Sequence, residues 1–303
     1  MDTATSVKIE ARGAAEAPAR VGPGAPDDTE TGWRYFQAQR GWSAVNWAEL
    51  WRYRELLYFF VWRDVKVRYK QTALGVAWAI LQPVLTMIVF SFFFGKVAGL
   101  SSSTGSIPYP LYVFSGLLPW LFFATAVGHS GESILNSARL ITKVYFPRLS
   151  VPVASVGAAL IDLAVSCSVL VVLMLTYGIT PGPQLLILPV LLAGLVLAAT
   201  GVGTLLASLS VVYRDFKYVI PFTLQIWMFV TPIIYPASLV PEKWRWVLLI
   251  NPMAGLIGGF RSALLGEPFQ WGPLALSLGI ALGLFLGGAH YFRSLERRFA
   301  DII

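Results

Sequence analysis

Charge is what this sequence has least of. Only 13% of its 303 residues are Asp, Glu, Lys or Arg, about half the share of a soluble domain, which argues against a water-soluble globule. Five stretches hold no charged residue at all: Gln71–Gly95, Val97–Gly131, Leu163–Tyr213, Tyr218–Pro241 and Pro268–Phe292. About 20 apolar residues cross a bilayer as a helix, and each run meets or exceeds that length. The chain therefore reads as an all-α integral membrane protein with several spans. Cysteine is nearly absent as well. Cys167 stands alone inside an apolar run, which rules out an internal disulfide and suits a small buried hydrophobe. His129 and His290 are isolated at the ends of apolar runs, so no metal-ligand cluster is expected. There is no nucleophile elbow and no pair of intramembrane carboxylates. A phosphate-cradling loop is missing too: the Gly95–Lys96 pair precedes Val97 and lacks the upstream glycine that GxxxxGK[ST] requires. Any nucleotide chemistry would belong to another chain.

What is present is organised by turns and basic residues. Residues 1–33 are polar, rich in Ala, Gly and Pro, without an apolar core segment, and read as a disordered cytoplasmic tail rather than a signal peptide. A cytoplasmic or interfacial segment follows at 34–72, then a membrane domain at 73–292 and a short cytoplasmic tail at 293–303. Six spans fit, at 73–95, 111–129, 151–176, 185–209, 219–236 and 273–292. SSSTGS with Pro108 and Pro110 follows the first, and TYGITPGPQ follows the third. With both termini inside, only Lys96, Lys243, Arg245 and Arg261 of the 23 Lys and Arg fall outside, the bias expected of cytoplasmic loops. Residues 236–272 are too apolar for a loop and too often interrupted for a span, so two short re-entrant helices are expected there.

Three basic segments border the spans. In "WRYRELLYFFVWRDVKVRYKQT" (51–72), Arg52, Arg63, Lys66 and Lys70 share one helical arc, with Tyr58, Val61, Trp62, Val65 and Tyr69 opposite. Asp64 and Arg68 break the apolar face. The pattern suits a helix lying in the membrane interface and also an ordinary positively charged flank. "ESILNSARLITKVYFPRLSVP" (132–152) predicts a short helix stopped by Pro147 near Phe146. There Arg139, Lys143 and Arg148 hold the link at the cytoplasmic face, with Tyr145 and Phe146 exposed. Such aromatics either contact a soluble partner or rest among headgroups. "SVVYRDFKYVIP" (210–221) again places an aromatic, a base and an acid together, at Tyr213, Arg214 and Asp215.

"RDVKVRYKQTALGVAWAILQP", "LITKVYFPRL", "VVYRDFKYVIP", "TPIIYP" and "NPMAGLIGGFRSALLG" occur in this order. In this the chain resembles the membrane subunits of ABC-2 type polysaccharide exporters, which move O-antigen, capsule or teichoic acid polymers. The resemblance covers most of the chain beyond residue 50. It implies a homodimer of permeases with two copies of a separate ATPase that binds ATP and Mg, in a bacterial inner membrane, with no nucleic acid partner. It implies that 51–71 is the interface helix, that the link at 132–150 carries a coupling helix seated in the ATPase, and that Tyr213–Asp215 is a second contact. Alternatives are an exporter of a small hydrophobic compound and, from another class, a membrane-embedded glycan enzyme.

A sugar polymer is polar but has apolar ring faces, so aromatic side chains can guide it. Trp78, Phe90, Phe94, Tyr112, Trp120, Phe122, Trp227 and Phe229 are candidates for the path; belt and packing roles fit them equally. The bases Arg52, Arg63, Lys66, Arg68 and Lys70 are candidates for receiving a polyprenyl diphosphate carrier lipid, because arginine meets phosphate oxygens as a fork. Asp162 is the one formal charge deep in a span and is expected to face protein or a wet cavity. Gly279, Gly283 and Gly287 repeat at i+4 as a close-packing face.

Overall fold

The computed structural model describes residues 51–70, 75, 77–105, 107–144, 146–296 and 299. The expectations placed on 1–50, on 71–74, on Tyr145 and on the residues after 296 other than Phe299 lie outside them. Among the described residues the chain is helical and forms no strand. An apolar segment in hydrocarbon has to satisfy every backbone amide internally, and a helix does so within one segment.

Helix α1 (Arg54–Tyr69) precedes α2 (Ala77–Phe90), which continues as a wider π-helical stretch over Ser91–Val97. Helices α3 (Tyr109–Asn136), α4 (Ala138–Ile141), α5 (Ser150–Thr176), α6 (Leu188–Val212), α7 (Phe216–Val230), α8 (Arg245–Ile250), α9 (Pro252–Leu265) and α10 (Trp271–Glu296) follow. α3 is the central post: it is buried along most of its length and packs against α5, α6 and α9. The first span, Ala77–Val97, is largely peripheral.

Five segments are long and apolar enough to cross a membrane: Ala77–Val97, Tyr109–Asn136, Ser150–Thr176, Pro183–Val212 and Trp271–Glu296. The span expected at 219–236 is instead the 15-residue α7, which rises only about 22 Å against a hydrocarbon core of about 30 Å. It gives way at Thr231 to the irregular TPIIY stretch. The re-entrant pair is present as Glu242–Ile250 and Pro252–Leu265, bent by 90°. The bend has a local cause. Pro252 has no amide hydrogen to continue the preceding helix but fits the first position of a new one. The Asn251 side chain caps α9 by accepting from the Met253 amide at 3.0 Å. It also accepts from the Trp227 indole at 3.0 Å and donates to Thr231 Oγ1 at 2.9 Å, tying the corner to the end of α7.

α6 and α10 meet backbone to backbone. A methyl group on Gly201 would stand 2.5 Å from the Leu284 carbonyl carbon, and one on Gly288 would overlap the Gly201 carbonyl oxygen. Small residues permit this approach and the dispersion contacts it brings. The glycines expected to form the close face, Gly279, Gly283 and Gly287, have open space beside them. Their spacing suits a face that meets a neighbouring span or a second subunit; within the chain the close contact uses Gly288, one position on.

Candidate functional site: the basic end, its cavity and a buried arginine

At the end carrying the basic segments, a satellite core gathers Phe60 of α1, Ile134 of α3, Ile141, Phe146, Val151 and Ala154, Ala207 and Val211 of α6, Phe292 of α10, and Phe299. Phe146 is 4% exposed, its ring edge-on to Phe60 at 5.3 Å. The sequence reading of Phe146 as an exposed aromatic is therefore corrected: a link must fold back to start the next span, and this side chain is the anchor that folds beneath it. The helix within the link is also shorter than expected, ending at Ile141 rather than near Phe146. What the link presents outward is Arg139, Thr142, Lys143 and Val144. Beyond half-buried Pro147, the Arg148 amide donates to Glu296 Oε1 at 3.3 Å and its guanidinium to the Glu296 carbonyl. Tyr213, Arg214 and Asp215 are exposed, and the Tyr213 ring lies 6.2 Å from that of Phe216.

α1 docks on α5 through Leu57, Phe60, Val61, Asp64 and Arg68, a stripe at helical spacing. Val61 fills the space left by Gly157. Asp64 and Arg68, which interrupt the apolar arc in sequence, are part of the docking face and find partners on α5. Ser155 donates to Asp64 at 3.5 Å, and Arg68 and the Tyr69 hydroxyl both bond Asp162. Burial lowers the Arg68 pKa from its ordinary value and raises that of Tyr69, so the tyrosine stays a protonated donor. Arg63 pairs with Asp64 at 2.9 Å and lies over the Phe60 ring. Tyr58 and Trp62, on the arc expected to face the membrane interface, are exposed; Lys66 sits over Trp62, and Arg52 and Lys70 are exposed.

The Arg68–Asp162 pair stands in the wall of a cavity of about 590 Å³ between α2, α3, α5 and α7. Trp78, Gln82, Phe122, Thr125, His129, Glu132 and Ser166 also line it. Of the aromatics read as a path, Trp78 is 47% exposed into this space, Phe90 and Phe94 are half-buried and edge-on at 5.8 Å, and Phe229 is 50% exposed. Trp227 is half-buried through its bond to Asn251. Tyr112 and Trp120 are corrected: both are buried within the chain, where a moving ligand would not meet them. Trp120 packs on Phe123 and Trp227.

The model of the ABC-2 type transporter family matches residues 55–265, spanning α1, the cavity and the re-entrant pair. The chain belongs to this family. The O-antigen export system permease protein RfbA of Myxococcus xanthus is 30% identical to this ABC-2 chain over 259 residues, covering 84% of it and 98% of the relative. RfbA of Klebsiella pneumoniae is 28% identical over 251 residues, 82% and 95% of the two chains. The polysialic acid transport protein KpsM of Escherichia coli is 24% identical over 245 residues, 76% and 89%.

One residue of this ABC-2 chain escaped the sequence reading. Arg261, counted there among the outer bases, is 4% exposed and sits over the Tyr112 ring at 3.8 Å. It donates to the Tyr112 carbonyl at 3.3 Å, the Tyr112 hydroxyl at 3.0 Å, the Pro232 carbonyl at 2.8 Å and the Ile233 carbonyl. Tyr109 donates to the next carbonyl, Ile234, at 2.8 Å. These bonds satisfy the broken backbone after α7, which at membrane depth has no water to turn to. Gly116 leaves the room for the guanidinium. The available signal was an arginine inside the apolar run of α9, where an ionisable residue is functional by default.

Proposed function

We infer that the chain is the membrane permease of an ATP-driven exporter of a lipid-linked polysaccharide. The observation that carries this reading is the ABC-2 family match over 55–265, joined by the export names of its relatives. ATP and Mg would be bound by a separate ATPase chain, two copies serving a permease homodimer in the bacterial inner membrane. Both termini would be cytoplasmic, which the skew of Lys and Arg supports. Arg139, Lys143, Tyr145, Phe146, Pro147 and Arg148 would form the principal contact with that ATPase, and Tyr213, Arg214 and Asp215 the second. The exposed Arg139, Lys143 and Tyr213 fit direct contact, whereas buried Phe146 would act by holding the link in shape. Arg52, Arg63, Lys66, Arg68 and Lys70 would receive the carrier's diphosphate, the exposed Arg52, Lys66 and Lys70 ahead of Arg63 and Arg68, which were expected to lead but are paired with Asp64 and Asp162.

The test is reconstitution with the cognate ATPase in nanodiscs. The chain alone should hydrolyse no ATP, and hydrolysis by the complex should rise on addition of a polyprenyl-diphosphate-linked glycan. Saturable hydrolysis by the chain alone would sink the reading. Stimulation by small apolar compounds and not by the glycolipid would favour the small-compound exporter.

A further inference from the structure

The cavity beside Arg68 has the size of a ligand site, about 590 Å³ within a usual range of about 300–1,000 Å³. Its charges decide what it can hold. Arg68 is the only Lys or Arg among the described lining residues, and Asp162 already neutralises it. Glu132 is the other carboxylate in the wall, with no ion-pair partner among the described residues. With His129 neutral, one positive charge against two negative leaves the lining at a net charge of −1. A phosphate or a carboxylated sugar entering here would face that excess in a partly desolvated space, where like charges repel more strongly than in water.

The remaining chemistry suits hydroxyl groups and apolar ring faces. Trp78 offers an exposed indole, while Phe122, also a candidate for the path, is 3% exposed and only backs the wall. Gln82 lies one turn from Trp78 along α2, and both Gln82 and His129 are exposed. An amide and an imidazole can each give and take hydrogen bonds, and the carboxylate of Glu132 accepts them.

We propose that this cavity is a subsite for an uncharged or amine-bearing sugar unit, that Trp78 is its stacking platform, and that Glu132 excludes acidic sugars. The proposal rests on the reading that the chain handles a glycan-bearing lipid. It adds that the sugar itself is recognised, apart from the carrier's diphosphate, which the exposed bases of α1 would hold.

The test uses the full chain in nanodiscs with Cys167→Ser and Thr125→Cys, so that maleimide reports on the cavity. Methyl glucoside and glucosamine should each slow alkylation of the introduced thiol, while glucuronate at matched ionic strength should need about tenfold more for the same protection. Glu132→Gln should bring glucuronate within about twofold of methyl glucoside. Trp78→Ala should abolish protection by every sugar and Trp78→Phe should restore part of it, which separates lost stacking from lost folding. Farnesyl diphosphate carrying glucose should protect better than farnesyl diphosphate alone. The proposal is overturned if no sugar protects, if glucuronate protects the parent as well as methyl glucoside does, or if the bare diphosphate lipid protects equally. Failure of the export reading would appear elsewhere, as absent glycolipid stimulation of the reconstituted ATPase.

Discussion

Arg261 and Arg68 are both arginines drawn out of water, and they are stabilised in opposite ways. Arg261 is enclosed by carbonyl oxygens and a tyrosine ring, with no carboxylate among its described hydrogen-bond partners. Arg68 faces a carboxylate across the wall of a cavity, each side chain about a fifth exposed. The first arrangement spends its donors on backbone carbonyls and a buried tyrosine hydroxyl, which suits a structural role. The second joins two side chains that water can reach, so the helices they connect can part without stranding a charge in hydrocarbon. Fixed architecture thus sits at one end of the molecule and adjustable architecture at the other.

The sharpest way to break this contrast is Arg261→Met. It leaves the carbonyls of Pro232 and Ile233 without donors, at about 1–3 kcal/mol each, so a loss of about 4 kcal/mol is expected. That should appear as a collapse in yield or in thermal stability in detergent. Arg261→Lys should also fail, because a single ammonium cannot span the same acceptors; a lysine variant as stable as the parent would end the structural reading. Phe146→Ala comes next, at about 3 kcal/mol for a buried aromatic. It should loosen the basic end, with faster proteolysis at the link and weaker ATPase association, while the far end stays protected.

Asp162→Asn should cost less, about 1–2 kcal/mol, because water in the cavity can re-solvate Arg68. Arg68→Met combined with Asp162→Asn should then lose less stability than the two single changes summed, the mark of a coupled pair. Additive losses would mean the two residues act separately. The smallest stability effect is expected from Arg139→Ala with Lys143→Ala, within about 0.5 kcal/mol since both are exposed. Association with the ATPase should nonetheless fall in a pull-down, and unchanged association would remove those bases from the contact.

What could be read in the sequence followed range. Runs without charge located the helices, because insertion into hydrocarbon is a local property of about 20 residues. The interruptions by Pro, Glu and Arg over 236–272 located the bent pair for the same reason. Pairings across the chain left no such trace. Arg68 and Asp162 are 94 positions apart, and Arg261 and Tyr112 are 149 apart. Nothing in either neighbourhood names the partner. Asp64 and Arg68 appeared as flaws in an amphipathic helix because its other surface was taken to be lipid, when it is α5. Phe146 misled in the same way, since polar neighbours in sequence say little about what lies beneath a link in space. The Gly279, Gly283 and Gly287 repeat shows the limit from the other side: its period marks a close-packing face, yet within the chain the contact falls to Gly288.

The satellite core at the basic end also sets an order of events during synthesis. Its rings come from Phe60 early in the chain, Phe146 near the middle, and Phe292 and Phe299 late. A ribosome releases these in sequence, so the early helices can enter the bilayer well before the patch beneath the first link can close. Until α10 arrives, Phe60 and Phe146 have only each other and the nearer spans to pack on. The surface around Arg139 and Lys143 therefore takes its final shape only once nearly all of the described chain has emerged. A nascent or truncated chain would lack the finished form of this surface.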